Sequence, residues 1–291
     1  MAAEQPELPT KVQDIANGSD DIYGEGVPIE HGTNPDERFS SGGADHTHQY
    51  IVANALIILS NDRGNSTFNG ELNSSILMEA TDWPDKLGNE TDTGTFAGHF
   101  YDPDSGKNWL GQTSPTARTR VESYFKSAVD AYRSGDVQLA MSNLGKGIHY
   151  VSDLNEPHHA SNLTAVNSNH SAFEKYVDKN RKSYTIAGNL FSESVYTTAL
   201  NTSTGDLMYS AAKQAKSLVG SAQNESMYES VARQSIQHAI QTVTQYMYKF
   251  GKEVGIYWWY LRRLDIKKLI SSLLLTLDIK SDKINKIYRK L

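Results

Sequence analysis

The sequence predicts an all-α fold built as a single multi-helix domain. Apolar residues recur at three- and four-residue steps over long stretches, the period of helices with one buried face. The strict alternation of half-buried strands is hard to find anywhere in the chain. Helix-stop and helix-start residues sit between the periodic stretches, as at Gly135-Asp136.

The elements follow in order. Residues 1–38 carry far more Asp and Glu than Lys and Arg, with recurrent Pro and Gly, and predict a disordered acidic leader. From His48, the run Tyr50, Ile51, Ala53, Ala55, Leu56, Ile58 and Leu59 predicts a buried helix ending near Asn61-Asp62. The stretch 81–115 is rich in Asp, Gly, Pro and Thr and reads as a long loop, a length that in compact domains usually serves function. Val121, Tyr124, Phe125, Ala128, Val129 and Tyr132 mark a helix closed by Gly135. Asp136 then caps another through Leu139, Met141, Leu144, Ile148 and Val151. Helical periods return over 169–186, 204–221 and 225–249, so the domain is expected to span 39–260. Residues 261–291 form a basic amphipathic tail, with Arg262, Arg263, Lys267 and Lys268 set around Leu264, Leu269, Ile270 and Leu273. Such a helix either packs on its own domain or lies on an anionic membrane surface.

Composition narrows the function. The 291 residues include no cysteine, so disulfides and thiolate metal sites are excluded and any metal must rest on His, Asp and Glu. A net charge of −6 argues against a general basic surface for nucleic acid. No apolar run reaches the roughly 18 residues of a membrane span. The start, Met1-Ala2-Ala3-Glu4-Gln5-Pro6, lacks the apolar core of a signal peptide, so export would require that such a segment had been removed.

The stretch from His149 to Glu174 carries the chemistry. His149 and Asp153 stand four apart on a predicted helix and leave the same face. Pro157 ends that helix and turns His159 back toward it, with His158 beside it as a possible substitute. His170 and Glu174 are a second pair four apart on the next helix. One such pair is commonly a surface contact; two pairs with His159 between them predict a metal site, and imidazole with carboxylate favours zinc. His48 and the loop segments Asp82-Trp83-Pro84-Asp85 and Phe96–Pro103, the latter with His99, supply further candidates, with His46 close to His48. His31 and His238 read as surface residues.

Five segments together resemble the bacterial zinc-dependent phospholipases C, the family of phosphatidylcholine-cleaving enzymes and clostridial alpha-toxins. They are Thr47–Val52, Ala80–Trp83, Phe96–Pro103, Leu144–Asn162 and His170–Asp178, and the resemblance covers roughly 39–260. It implies the fold of that family and of the single-strand nucleases, and a cluster of three zinc ions. Asp82, His99, His149 and Asp153 would hold the first ion; His159, His170 and Glu174 the second; His48 and a bridging Asp153 the third. In the family the third ion also takes an N-terminal Trp. Here Phe39 falls near that place, so cleavage at Arg38–Phe39 is the expectation. Glu37 is then a poor acidic partner for a choline head.

The implied activity is hydrolysis of phosphatidylcholine-type lipid to diacylglycerol and phosphocholine. Asp82 is the candidate general base, and Trp83 and Phe96 are the candidate aromatic faces for the choline cation. A secreted monomer acting on a phospholipid surface, without a nucleic-acid partner, is expected. No equivalent of the alpha-toxins' extra β-sandwich follows residue 260, so strong membrane lysis is not expected. Two alternatives remain at this point. One is a zinc-dependent single-strand nuclease or nucleotidase, which shares the His-x3-Asp and Pro-x-His spacing. The other is a noncatalytic secreted surface protein that kept the fold.

Overall fold

Helical periodicity becomes helix throughout the computed structural model, which describes residues 6–18, 46–86, 88–186 and 191–257. Helix α1 is Thr10–Ala16, α2 Thr47–Arg63, α3 Glu71–Asp82, α4 Ala117–Arg133 and α5 Val137–Asp153. Helix α6 is His170–Asn180, α7 Glu193–Asn201, α8 Thr204–Ser217, α9 Val219–Ala222 and α10 Tyr228–Glu253. No strand occurs among the described residues; an isolated bridge joins Asp102 and Lys107. No described helix is long and apolar enough to cross a membrane. His31, Glu37, Arg38, Phe39 and the basic tail lie outside the described residues, and with them the proposed cleavage point.

Helix α5 lies between α3 and α4, and α10 packs along α2, α5, α7 and α8. The core residues Ile51, Leu56, Leu77, Met141, Leu144, Ile148, Ile240 and Tyr246 are all buried. Asp136 caps α5 as expected, its side chain accepting from the Leu139 amide at 2.9 Å. Thr116 caps α4 reciprocally with Thr119. Gly145 sets how near α3 comes, because a Cβ there would stand 2.5 Å from the Leu77 carbonyl oxygen. That close approach places the end of α3 one turn from His149.

Helix α2 starts without a cap of its own. Asp178 of α6 supplies one, with Oδ1 accepting the His46 amide at 2.8 Å and the Thr47 hydroxyl at 2.9 Å. His48, in the first turn, is thereby fixed by a second ligand-bearing helix.

Three helices were not expected. In α3 the buried face includes Ser74, Thr81 and Asp82, which dilutes the apolar period, while Leu72 is exposed. Helix α7 buries only Tyr196 and Ala199. The leader was expected to be disordered, yet within it α1 buries Val12, Ile15 and Ala16 against α2. The Ala16 carbonyl accepts from Asn54 Nδ2 at 3.2 Å. Three apolar side chains on one face suffice to dock a two-turn helix, although they are too few to register as periodicity.

Candidate metal centre

The ends of α2, α3, α5 and α6 and the loop after α3 converge on a buried group of imidazoles and carboxylates. His48, His99, His149 and His159 are each 0 % exposed, and Asp153, His170 and Glu174 each 1 %. Burial this complete requires that every nitrogen and oxygen have a use.

Tautomers follow from the carbonyls, which can only accept. His149 Nδ1 donates to the Thr81 carbonyl at 2.7 Å, and His99 Nε2 to that of Glu90 at 3.3 Å. In their neutral forms the other two nitrogens, His149 Nε2 and His99 Nδ1, present lone pairs, and these face each other 3.0 Å apart. Asp153 Oδ2 lies 3.0 Å from the His99 nitrogen and 3.4 Å from that of His149. Asp85 Oδ1 lies 3.5 and 3.6 Å from the same two atoms. Acceptors this close repel unless a proton or a metal cation lies among them. Two imidazoles and two carboxylates are a donor set that fits zinc.

The arrangement repeats nearby. His159 Nδ1 donates to the His99 carbonyl at 3.1 Å, which turns Nε2 toward Glu174 Oε1 at 3.5 Å. His170 Nε2 stands 2.9 Å from the same oxygen. The His48 ring stacks on His149 at 4.2 Å, and its Nε2 is 3.8 Å from Asp153 Oδ1. Among the described residues three groups offer donor atoms within 4.8 Å of one another: His48, His149 and Asp153; Asp85, His99 and His149; and Glu156, His159 and His170.

The main departure from the sequence reading concerns Asp82. It ends α3 and contributes to none of those groups; its Oδ2 accepts from Gln49 Nε2 at 2.5 Å instead. Asp85 stands beside His99 and His149, where Asp82 was expected. Pro84 is the reason, since the helix stops before it and the next turn swings Asp85 round to the histidines. The segment Asp82-Trp83-Pro84-Asp85 signalled a carboxylate here without revealing which.

His99 rides on a loop held by strain and charge. Asp92, Thr93 and Phe96 adopt φ of 49°, 58° and 51°, a left-handed conformation that such residues seldom take. Arg120 of α4 clamps the loop, donating to the Glu90 carbonyl at 3.2 Å, to Asp92 Oδ1 at 2.5 Å and to the Tyr150 hydroxyl at 3.0 Å. Burial opposes the Arg120 charge, but Tyr150, Glu90 and Asp92 outweigh it and raise its pKa. Asp92 Oδ2 accepts the Gly98 amide at 2.7 Å, next to His99.

The two aromatic candidates differ. The Phe96 ring is edge-on to His99 at 5.6 Å, beside the cluster. Trp83 is already engaged, because the Lys146 ammonium lies 3.7 Å from its ring centroid. His158, read as a substitute for His159, is a buried partner, and His238 a half-buried one. His158 contacts Glu156 and Asn169; burial lowers its pKa, but the Glu156 carboxylate more than compensates and the net shift is upward. His238, expected at the surface, donates to Asn155 Oδ1 at 2.6 Å, and burial lowers its pKa to about 4.

The chain is similar to known proteins. The family model described as zinc dependent phospholipase C matches residues 47–221. A phospholipase C of Bacillus cereus is 29 % identical over 188 residues, covering 60 % of this chain and 63 % of its own. That of Paraclostridium bifermentans is 34 % identical over 173 residues, covering 53 % and 43 %. The solved alpha toxin from Clostridium absonum aligns with a TM-score of 0.64 at 26 % identity, over 72 % of this chain and 64 % of that one. The chain thus spans less than two thirds of each relative's length. With the family model matching more than half of it, the chain belongs to the zinc dependent phospholipase C family.

Proposed function

We propose that the protein is a zinc-dependent phospholipase C that hydrolyses phosphatidylcholine-type phospholipids on the glycerol side of the phosphate. One observation carries the reading: imidazole lone pairs and carboxylates are packed together in a buried cluster where they repel unless protons or metal cations lie among them, and their number and spacing suit metal ions. The reading takes three ions, with Asp153 shared between neighbours, its Oδ1 toward His48 and its Oδ2 toward His99.

When bound, zinc neutralises the phosphate, lowers the pKa of a coordinated water and stabilises the departing alkoxide. The protein residues hold and orient that centre. His99, His149, Asp85 and Asp153 surround the first position; His159, His170 and Glu174 the second; His48 and Asp153 the third. Water attacks phosphorus, the bond from phosphorus to the glycerol oxygen breaks, that oxygen takes up a proton from solvent, and diacylglycerol and phosphocholine leave. Asp85 takes the part foreseen for Asp82 and receives the proton of the attacking water. Its side chain is 12 % exposed where Asp153 is 1 %, so it can reach both solvent and the cluster. Asp82 instead secures Gln49, next to His48. Phe96 offers an aromatic face to the choline group, while the face of Trp83 under Lys146 holds an internal cation.

Phosphocholine release from phosphatidylcholine vesicles, with a His159→Ala control, tests the proposal. Release that the substitution abolishes is expected. Equal release by both proteins refutes it, and nucleotide release from single-stranded nucleic acid without lipid hydrolysis would favour the nuclease alternative.

A further inference from the structure

Glu156 is buried to 0 % exposure three residues after Asp153, and His158 beside it is equally buried. The reaction proposed above uses neither. A buried carboxylate costs several kcal/mol unless its oxygens are satisfied, and the partners of Glu156 are informative. Oε2 accepts the backbone amide of His159 at 2.6 Å, and Oε1 accepts from His158 Nδ1 at 2.7 Å. The other His158 nitrogen, Nε2, donates to Asn169 Oδ1 at 3.0 Å. The orientation of the Asn169 amide is fixed by its Nδ2, which donates to the Ala222 carbonyl at 2.9 Å and to the Tyr228 hydroxyl at 2.5 Å.

The chain of contacts therefore runs from the backbone of one ligand-bearing residue to the residue just before another. His159 opens a short 3-10 turn, and its amide is held by Glu156. His170 opens α6, and Asn169 at its N-cap position is held by His158. The His158 ring also stacks on that of His170, with centroids 5.1 Å apart and planes 17° from parallel.

We propose that Glu156 and His158 act as positioning residues that set the distance and angle between His159 and His170. The inference rests on the reading of the cluster as a zinc site. Glu156 Oε2 lies 3.7 Å from His170 Nε2, so direct ligation is the competing role. Positioning is favoured because both Glu156 oxygens already accept short hydrogen bonds from nitrogen donors. A carboxylate engaged in that way fixes ligands from behind, in the manner of outer partners at metal sites.

The two roles separate on substitution. In Glu156→Gln the amide oxygen still accepts the His159 amide, and the amide nitrogen donates to neutral His158 Nδ1 while Nε2–H keeps Asn169. The network survives without a carboxylate. Glu156→Ala breaks it. Competition of the full-length chain with a chromophoric chelator for zinc reads the affinity and number of ions, independently of turnover. Far-UV circular dichroism checks folding.

Glu156→Gln is expected to keep the ion count and hold zinc within about threefold of the unaltered chain. Glu156→Ala is expected to weaken one ion by about 10–100-fold. Loss of an ion in Glu156→Gln as in Glu156→Ala would make Glu156 a ligand and overturn the proposal. So would unaltered affinity in a folded Glu156→Ala, whatever its thermal stability. If Glu156→Ala does not fold, Asn169→Ala carries the test, with weakening on the order of tenfold expected and unaltered affinity contradicting the proposal. Failure of the unaltered chain to bind zinc would defeat the metal reading itself, and this inference with it.

Discussion

Asp82 and Asp85 are three residues apart and differ by one helix end. Asp82 stays on α3 and faces Gln49, while Asp85 follows Pro84 round the turn to within 3.5 Å of His99. Substitution separates their roles. Asp85→Asn should lower kcat for phosphocholine release by about 10²–10⁴-fold, the range for loss of a general base. Asp82→Asn, which keeps an oxygen for Gln49, should change it by less than about tenfold. The reverse order would return the base to Asp82. The pairs His149–Asp153 and His170–Glu174 were legible in the sequence because rigid helices translate spacing into direction. Asp85, Glu156 and His159 lie in turns beyond helix ends, where spacing says little about direction; His159 was expected from Pro157, Asp85 only as part of its segment, and Glu156 not at all. His158 stood in plain view, but its role depends on Asn169, eleven positions along the chain.

Helices position what the residues do. Gly145 allows α3 to approach α5 until the Thr81 carbonyl meets His149. A methyl group there must displace backbone, so Gly145→Ala should cost about 1–3 kcal/mol in urea unfolding and weaken zinc binding as Thr81 withdraws. Wild-type affinity in the variant would show that the ring is held by other means. Helix α1 belongs to the folded body as described, and Ile15→Ala should cost about 2 kcal/mol in the same assay; no loss would mark α1 as dispensable.

On α10, burial depresses the pKa of His238, so the folded state favours its neutral form. The unfolded chain then binds a proton that the folded chain does not. The stability this contributes is complete above the unfolded value near 6.5 and falls as pH drops toward about 4. Denaturant midpoints of His238→Gln should be flatter than wild type across that window; parallel curves would contradict the assignment. Most helices were readable from their period. Helices α3 and α7 were not, because their buried faces include small or polar residues, nor was α1, whose three buried residues are too few to make a period.

At the scale of the molecule, four helix ends and one strained loop carry a charged cluster into an otherwise apolar interior. Such a centre is unfavourable without cations, so metal and stability are linked. Zinc at 100 times its dissociation constant adds about 2.7 kcal/mol per site that binds only the folded state. Chelation should therefore lower the unfolding temperature, and zinc should restore it. An unfolding temperature indifferent to zinc would mean that the cluster is satisfied by protons alone. The all-α architecture could be read from composition and period, whereas the convergence of the four helix ends is tertiary and could be expected only through resemblance.

Zinc-edge anomalous diffraction from crystals grown with zinc addresses the cluster most directly. One peak is expected between His99 Nδ1 and His149 Nε2, flanked by Asp85 and Asp153, and another between His159 and His170 beside Glu174. Crystals that take up zinc elsewhere but show no peak at either pair would contradict the metal centre and the phospholipase reading built on it.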